Sequence, residues 1–364
     1  MLRKFLLLPA LFLFLLPLRA RHLQPGFDGN EFRKMFQVSA YQVDTPWTKM
    51  WMAYPTGYTL IYRSPVSGLD NRWDLWKGDD SVDVISIRGT TASFDSWLEN
   101  FYAGLIPANG SLDMEKGKKF DYHLADDSSA CVHIGWMIGL ANIAPDVVEH
   151  INSEYKTGRR EFCIMGHSQG GAIGFLLTSY LYYQKGKSIP ADVVFKTYGS
   201  GTPKPGNLHY SYDFDFITRG GWALRVVNAA DWVPEVPFTL QTLNDLNKGS
   251  PFTDASKLVK GANFFVKIYA KHLVRKMNRS ARRARKRFAH YLAKKSGKYV
   301  RKEINGFPKQ QYEPSLNYAP CGVPIIMEPD AYYHKLYPDD GKSIFRHHGF
   351  GPYLYLLNLY YPVT

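Results

Sequence analysis

Short apolar runs alternate with longer amphipathic ones through the middle of the chain. Residues 82–87 (VDVISI), 162–165, 193–197 (VVFKT) and 224–228 (LRVVN) are brief, β-branched or aromatic in part, and almost continuously apolar. That pattern marks central strands of a sheet covered on both faces. Between them, residues 134–152 and 172–184 read as helices, the second with Ile173, Leu176, Leu177, Tyr180 and Leu181 on one face. The alternation predicts an α/β fold, a mostly parallel central sheet flanked by helices. Two stretches interrupt it: residues 103–130, rich in Gly, Asp, Lys and Ser, and a long section from about 238 to 330.

Inside the second interruption the pattern changes period. Val266, Tyr269, Ala270, Leu273, Met277, Ala281, Ala284, Phe288, Tyr291 and Leu292 recur mostly three or four apart, with Lys and Arg between them. The spacing predicts one long amphipathic helix or a hairpin of two. Charge sharpens that picture. The 364-residue chain carries a net charge of +13, but residues 257–309 hold 18 Lys or Arg against Glu303 alone. This segment therefore carries +17 and the remainder −4. Three readings compete for it: a helix packed on the body with a solvated basic face, a peripheral contact with an anionic membrane surface, or nucleic-acid binding. The last is disfavoured, because RRARKRF lacks interleaved stacking aromatics.

Composition adds bounds. With 45% hydrophobic residues, 25 Tyr and 22 Phe, the chain can bury a large core, which excludes global disorder. Residues 1–20 combine Arg3 and Lys4, an apolar run and a small residue, Ala20, and read as a signal peptide. Residues 21–364 would then form one secreted or periplasmic domain; an uncleaved anchor is the alternative, although Pro9 and Pro17 interrupt a run already short for a span. Three cysteines are too few for a disulfide scaffold. Cys131 and Cys163 lie in apolar segments and read as core residues, and no metal-ligand spacing occurs.

Candidate chemistry centres on EFCIMGHSQGGAIGF, where a strand-like run passes through Gly166-His167-Ser168-Gln169-Gly170 into a helix-like one. This is the context of a nucleophile elbow, with Gly166 and Gly170 removing side chains that would strike the neighbouring backbone. The P-loop and dinucleotide patterns are absent. A serine nucleophile needs a base and a carboxylate, in the chain order Ser, Asp or Glu, His. Asp231 follows a strand end, with Glu235 as substitute. Among later histidines, His272 and His290 sit in the basic segment and His334 in an undistinctive loop. His348 opens the Gly-rich RHHGFGPYLYLLNLYY tail and is preferred to His347. Oxyanion donors should be the backbone N–H of Gln169 and the Thr90 N–H and hydroxyl, freed by Gly89 in SIRGTTASFDSW.

ISIRGT with DSWLENF, VHIGW, MGHSQGGAIG with TYGSGTPKPGN, and RVVNAADWVPEVP occur in an order that resembles the class 3 (fungal-type) lipases. The resemblance covers roughly residues 80–237 and the C-terminal pair His348 and Tyr353. It implies the α/β-hydrolase fold, a triad of Ser168, His348 and Asp231, an oxyanion hole of Thr90 and Gln169, and a mobile lid in residues 102–130. His133 within VHIGW should be structural. Gln169 stands where the family often has leucine, and the Thr90-to-Trp97 spacing is one residue longer, which bears on the acyl pocket. The expected function is hydrolysis of carboxylic esters of lipids, triacylglycerol lipase-like, without metal or organic cofactor and without a nucleic-acid partner. The alternatives are an esterase or phospholipase on the same machinery, or a non-catalytic module on anionic membranes. Asn109-Gly110-Ser111 and Asn278-Arg279-Ser280 match glycan acceptors.

Overall fold

The structure is a computed structural model that describes residues 22–42, 52–246, 250, 261 and 263–363. The expected signal peptide lies outside the described residues. Seven strands form the main sheet: β1 Tyr58–Arg63, β2 Trp73–Gly78, β3 Val82–Ile87, β4 Glu161–His167, β5 Val194–Ser200, β6 Ala223–Asn228 and β7 Val323–Met327. Their order in space follows their order in the chain. β1, β2 and β3 pair antiparallel, and every pairing from β3 to β7 is parallel. The expected mostly parallel α/β-hydrolase architecture is therefore present, with an antiparallel edge.

The helices are α1 Gly29–Ala40, α2 Phe94–Phe101, α3 Ile134–Lys156, α4 Gln169–Gln184, α5 Phe264–Ala289, α6 Ser296–Glu303 and α7 Phe350–Tyr360. α4 packs on β4 and β5 and against α3, while α1 and α7 cover the other face. The period of two in the strands divides their side chains accordingly. Ile85, Ile87, Phe162 and Ile164 enter the cluster with α3 and α4. Val82, Val84, Cys163 and Met165 enter the cluster with α1 and α7. Cover on both sides is why these strands read as almost continuous apolar runs. α3 tolerates Pro145 in its interior. An interior proline costs about 3 kcal/mol, but several side chains such as Ile138, Leu140, Ile143 and Val147 are buried along the helix, each worth about 1.5–3 kcal/mol.

Registers along the parallel strands align the site. Ile87 lies opposite Gly166, Gly166 opposite Gly199, and His167 opposite Ser200. The C-terminal ends of β3, β4 and β5 thus meet at one level, where loops can converge.

Residues 102–130, the segment expected to carry a lid, form regular β structure against the body. They contain the strand Leu105–Pro107, which pairs with Cys131–His133 in a small second sheet, and the hairpin Asn109–Asp113 with Lys119–His123. Leu105, Leu112, Phe120 and Leu124 are buried in the body. The polar composition belongs to the outward half of an alternating strand pattern: Lys119 and Asp121 face solvent while Phe120 and Tyr122 face inward.

The basic section is one helical run, α5, a π-helical stretch at His290–Lys295, and α6. Its C-terminal part docks through Ala293, Gly297 and Val300, which are buried, and α6 packs on α2. The opposite end stands away, with Phe264 70% and Phe265 80% exposed. The section assigned to about 238–330 also contains β7, the far edge of the main sheet, so the insertion ends before residue 323. Outward-facing Val323 and Pro324 obscure that strand in the sequence. Cys131, Cys163 and Cys321 are buried free thiols. Among the described residues no helix is long and apolar enough to cross a membrane.

Candidate active site

Ser168 occupies the junction of β4 and α4 with φ 60° and ψ −133°. A non-glycine residue in that region carries about 1–3 kcal/mol of backbone strain. The strain is held by the Ser168 N–H, which donates to the Ser200 carbonyl at 2.8 Å, and by α4, which returns against the sheet. The approach leaves no room for side chains. A Cβ on Gly166 would fall 2.2 Å from the Gly170 carbonyl, and one on Gly170 would fall 2.3 Å from the Ile87 oxygen. Ser168 consequently stands at the positive end of α4, its hydroxyl lifted out of the regular structure.

The side chain opens into a cleft of about 220 Å³ that also reaches Thr90 and Gln169. The walls are apolar, formed by Trp97, Phe101, Trp232, Phe238, Leu292 and Phe345 among others. Leu292 belongs to the π-helical stretch of the basic insertion, whereas nothing from residues 104–130 lines the cleft.

Asp231 follows β6 in a tight turn, its N–H donating to the Asn228 carbonyl at 2.9 Å. Its carboxylate accepts three hydrogen bonds: from His348 Nδ1 at 2.6 Å, from the Tyr353 hydroxyl at 2.8 Å, both on Oδ2, and from the Val233 N–H at 3.0 Å on Oδ1. The Asp231 and His348 side chains are fully buried. With Nδ1–H given to Asp231, Nε2 of His348 is the basic nitrogen. Gly201, at φ 55°, admits this pair closely: a Cβ there would lie 2.9 Å from His348 Cε1 and 3.1 Å from Asp231 Oδ2.

His167, the residue before Ser168, ties the pair to the elbow. Its ring centroid is 4.5 Å from that of His348, and its Nε2 is 2.9 Å from the His348 carbonyl oxygen. Burial and the adjacent His348 ring hold His167 well below the usual histidine range, so it is neutral and Nε2–H donates. His347 turns elsewhere, to the Tyr333 hydroxyl and to Asp339, each at 2.7 Å. Glu235, His272, His290 and His334 are all exposed.

On the other side of Ser168, the loop after β3 is anchored by Arg88, whose guanidinium pairs with Asp70 at 2.7 Å. The Thr90 hydroxyl donates to Gln169 Oε1 at 2.7 Å, and Asn100 Nδ2 donates to Thr90 Oγ1 at 2.8 Å. Gln169 Nε2 in turn donates to Glu99, which is completely buried. Burial lifts the Glu99 carboxyl well above the usual carboxylate range. His133 caps α3, accepting the Trp136 N–H on Nδ1 at 3.3 Å, and its Nε2 contacts the Asn100 carbonyl at 3.2 Å. Burial pushes its imidazole down to about 3, so it is a neutral structural group.

The structure thus gathers Ser168, Thr90 and Gln169 around one cleft and pairs His348 with Asp231 beside the elbow. Three neighbours received no role from the sequence: Tyr353, Asn100 and Glu99. Tyr353 carried a signal in its five-residue offset from His348. The other two lie in DSWLENF, where nothing in the sequence distinguishes them from polar positions on a helix surface. Among the described residues no group of three or more His, Cys, Asp or Glu could hold a metal ion.

Residues 84–241 match the model of the family described as Lipase (class 3). A secreted mono- and diacylglycerol lipase of Malassezia globosa, MDL2, is 28% identical over 184 residues, covering 49% of this chain and 54% of the relative. Triacylglycerol lipase OBL1 of Ricinus communis is 26% identical over 191 residues, covering 44% of this chain and 35% of the relative. The chain spans about half the length of the first relative and about a third of the second. Among solved structures, the triacylglyceride lipase of Rhizomucor miehei is 19% identical, with 59% of this chain and 77% of that chain covered and a TM-score of 0.43.

Proposed function

We propose, from the match of residues 84–241 to the family described as Lipase (class 3), that the chain is a serine hydrolase of that kind, cleaving carboxylic esters of lipids. The observation that carries the proposal is the strained Ser168 opening into an apolar cleft beside Thr90 and Gln169, with a buried His348–Asp231 pair against the elbow.

His348 Nε2 takes the Ser168 proton as Oγ attacks the ester carbonyl carbon, and the carbonyl π electrons move onto oxygen. The backbone N–H groups of Thr90 and Gln169, with the Thr90 hydroxyl, hold the resulting oxyanion, each donor lowering the barrier by about 3–4 kcal/mol. Asp231 stabilises the imidazolium. Collapse breaks the C–O bond, the leaving alcohol takes the proton from His348, and an acyl-enzyme remains. Water, deprotonated by the same imidazole, then releases the acid and restores the serine.

The apolar lining supports long acyl chains, and the name of the Malassezia relative supports glycerol esters. A series of fatty-acid esters of increasing chain length, assayed with and without an oil interface, tests this. Activity rising with chain length at the interface is expected. Preference for short soluble esters would make the protein an esterase instead, and release of acid from phosphoglycerides alone would make it a phospholipase. Export is part of the same proposal: residues 1–20 read as a signal peptide, and MDL2 is named a secreted protein.

Peripheral contact with anionic membranes is also proposed. Exposed Phe264, Phe265, Ile268 and Tyr269 form an apolar tip, followed by the Lys- and Arg-rich remainder of α5. Such a tip can enter the acyl boundary while the cationic side chains meet head groups.

A further inference from the structure

Gln169 differs from the leucine common at this position in the family the sequence resembles, and its side chain is not idle. We infer that the Gln169 carboxamide, anchored on Glu99, positions the Thr90 hydroxyl so that it answers the oxyanion rather than the neutral ester carbonyl. The inference rests on the reading of Thr90 and Gln169 as oxyanion donors.

The hydrogen-bond directions follow from groups that can act in only one way. The Trp136 indole can only donate, and it does so to Asn100 Oδ1 at 2.9 Å. Asn100 therefore turns Nδ2 toward Thr90 Oγ1, at 2.8 Å. At the far end Glu99 accepts from Asn71 Nδ2 at 3.1 Å and from Gln169 Nε2. The same Asn100 Nδ2 also donates to the Gln169 carboxamide at 3.3 Å, so the atom Gln169 turns toward Thr90 is Oε1, and the Thr90 proton points at it across 2.7 Å. Thr90, Gln169 and Asn71 are each 2% exposed, and Glu99 is not exposed at all. Water cannot compete for these bonds. Enclosing a carboxyl group this completely is costly, and leucine at position 169 would leave it without this donor.

In the resting enzyme the Thr90 hydroxyl proton is thus held on a neutral amide oxygen. A substrate carbonyl is a similar acceptor and has no advantage over it. A developing oxyanion is a much stronger acceptor and draws the proton across, while Asn100 continues to hold Oγ1 in place. Binding that is realised only when charge develops raises kcat, whereas equal binding of ground and transition states lowers KM alone. Gln169 is in this sense a positioning residue acting through Thr90.

The test is a double-mutant cycle with Gln169→Leu and Thr90→Val, assayed on a soluble fatty-acid ester. Gln169→Leu should lower kcat roughly three- to tenfold, about one net hydrogen bond, without raising KM, and should have no further effect when Thr90 is already valine. Because Gln169→Leu leaves Glu99 without one of its donors, the paired variant Glu99→Leu/Gln169→Leu is run beside it and decides the matter if the single variant does not fold. Multiplicative losses in the cycle, or a higher KM at unchanged kcat, would overturn the inference while leaving the hydrolase reading intact. A Thr90→Val enzyme as active as wild type would overturn both this inference and the oxyanion assignment. Absence of ester hydrolysis by the wild-type protein would sink the function itself.

Discussion

Replacing Asp231 with asparagine removes one charge and forces a choice on the hydrogen bonds around it. The carboxylate now serves His348 and Tyr353 through one oxygen and Val233 through the other. An amide has a single oxygen. Facing His348 and Tyr353, it turns its NH2 toward the buried Val233 N–H, a donor against a donor that costs about 1–3 kcal/mol of stability. Facing Val233, it presents NH2 to His348 and drives the proton from Nδ1 to Nε2, the nitrogen that must accept the serine proton. In either orientation the imidazolium loses its counter-charge. At 2.6 Å, with an effective dielectric of about 20, that attraction is about 6 kcal/mol. This corresponds to a fall in kcat of about four decades, similar in size to the known effect of the same exchange in serine proteases. Steady-state kinetics on a soluble ester, with circular dichroism to verify folding, should show kcat down about 10⁴-fold and KM changed by less than about threefold. A folded Asp231→Asn enzyme within about tenfold of wild-type kcat would refute the role of Asp231.

Two further outcomes follow from other parts of the molecule. His133 is neutral when folded, with its pKa near 3, and titrates near 6.5 when unfolded. Its contribution to stability is therefore fully present above about pH 6.5 and is lost as pH falls toward 3; between pH 7 and pH 5 the wild type should lose about 2 kcal/mol more than His133→Asn in urea unfolding. Equal pH slopes would contradict the burial argument. At the apolar tip, Phe264→Ser/Phe265→Ser should weaken sedimentation with anionic phospholipid vesicles by at least about tenfold, since burying each phenyl ring contributes about 1.5 kcal/mol or more; unchanged sedimentation would remove this tip from any membrane contact.

What the sequence made legible depended on how evenly each element is enclosed. β3 and β4 announce themselves because α3 and α4 cover one face and α1 and α7 the other, so most of their positions are apolar. The box around Ser168 is legible for a related reason, since backbone passes within contact of Gly166 and Gly170 on all sides. The hairpin of Asn109–Asp113 and Lys119–His123 has one wet face. Its Gly, Asp and Lys residues read as loop, and a lid was expected where strands lie. Glu99 and Asn100 failed in the opposite sense. Charged and amide side chains on a short helix suggest solvent, and only the placement of α2 over Gln169 and Trp136 turns them inward. In the sequence His348 is preferred to its neighbour His347 only because it opens the Gly-rich tail. The separation comes from the turn at 346–348, which directs one ring to Asp231 and the other to Tyr333. The π-helical stretch that brings Leu292 to the cleft has no local sequence signal.

The central claim is that the Ser168 hydroxyl is an activated nucleophile. The most direct measurement is covalent labelling by a fluorophosphonate at neutral pH, read by mass spectrometry of the peptide spanning residues 161–184. The account predicts one adduct on Ser168 in the wild-type protein and none in Ser168→Ala. An unlabelled wild type, or an adduct that persists in Ser168→Ala, would contradict it.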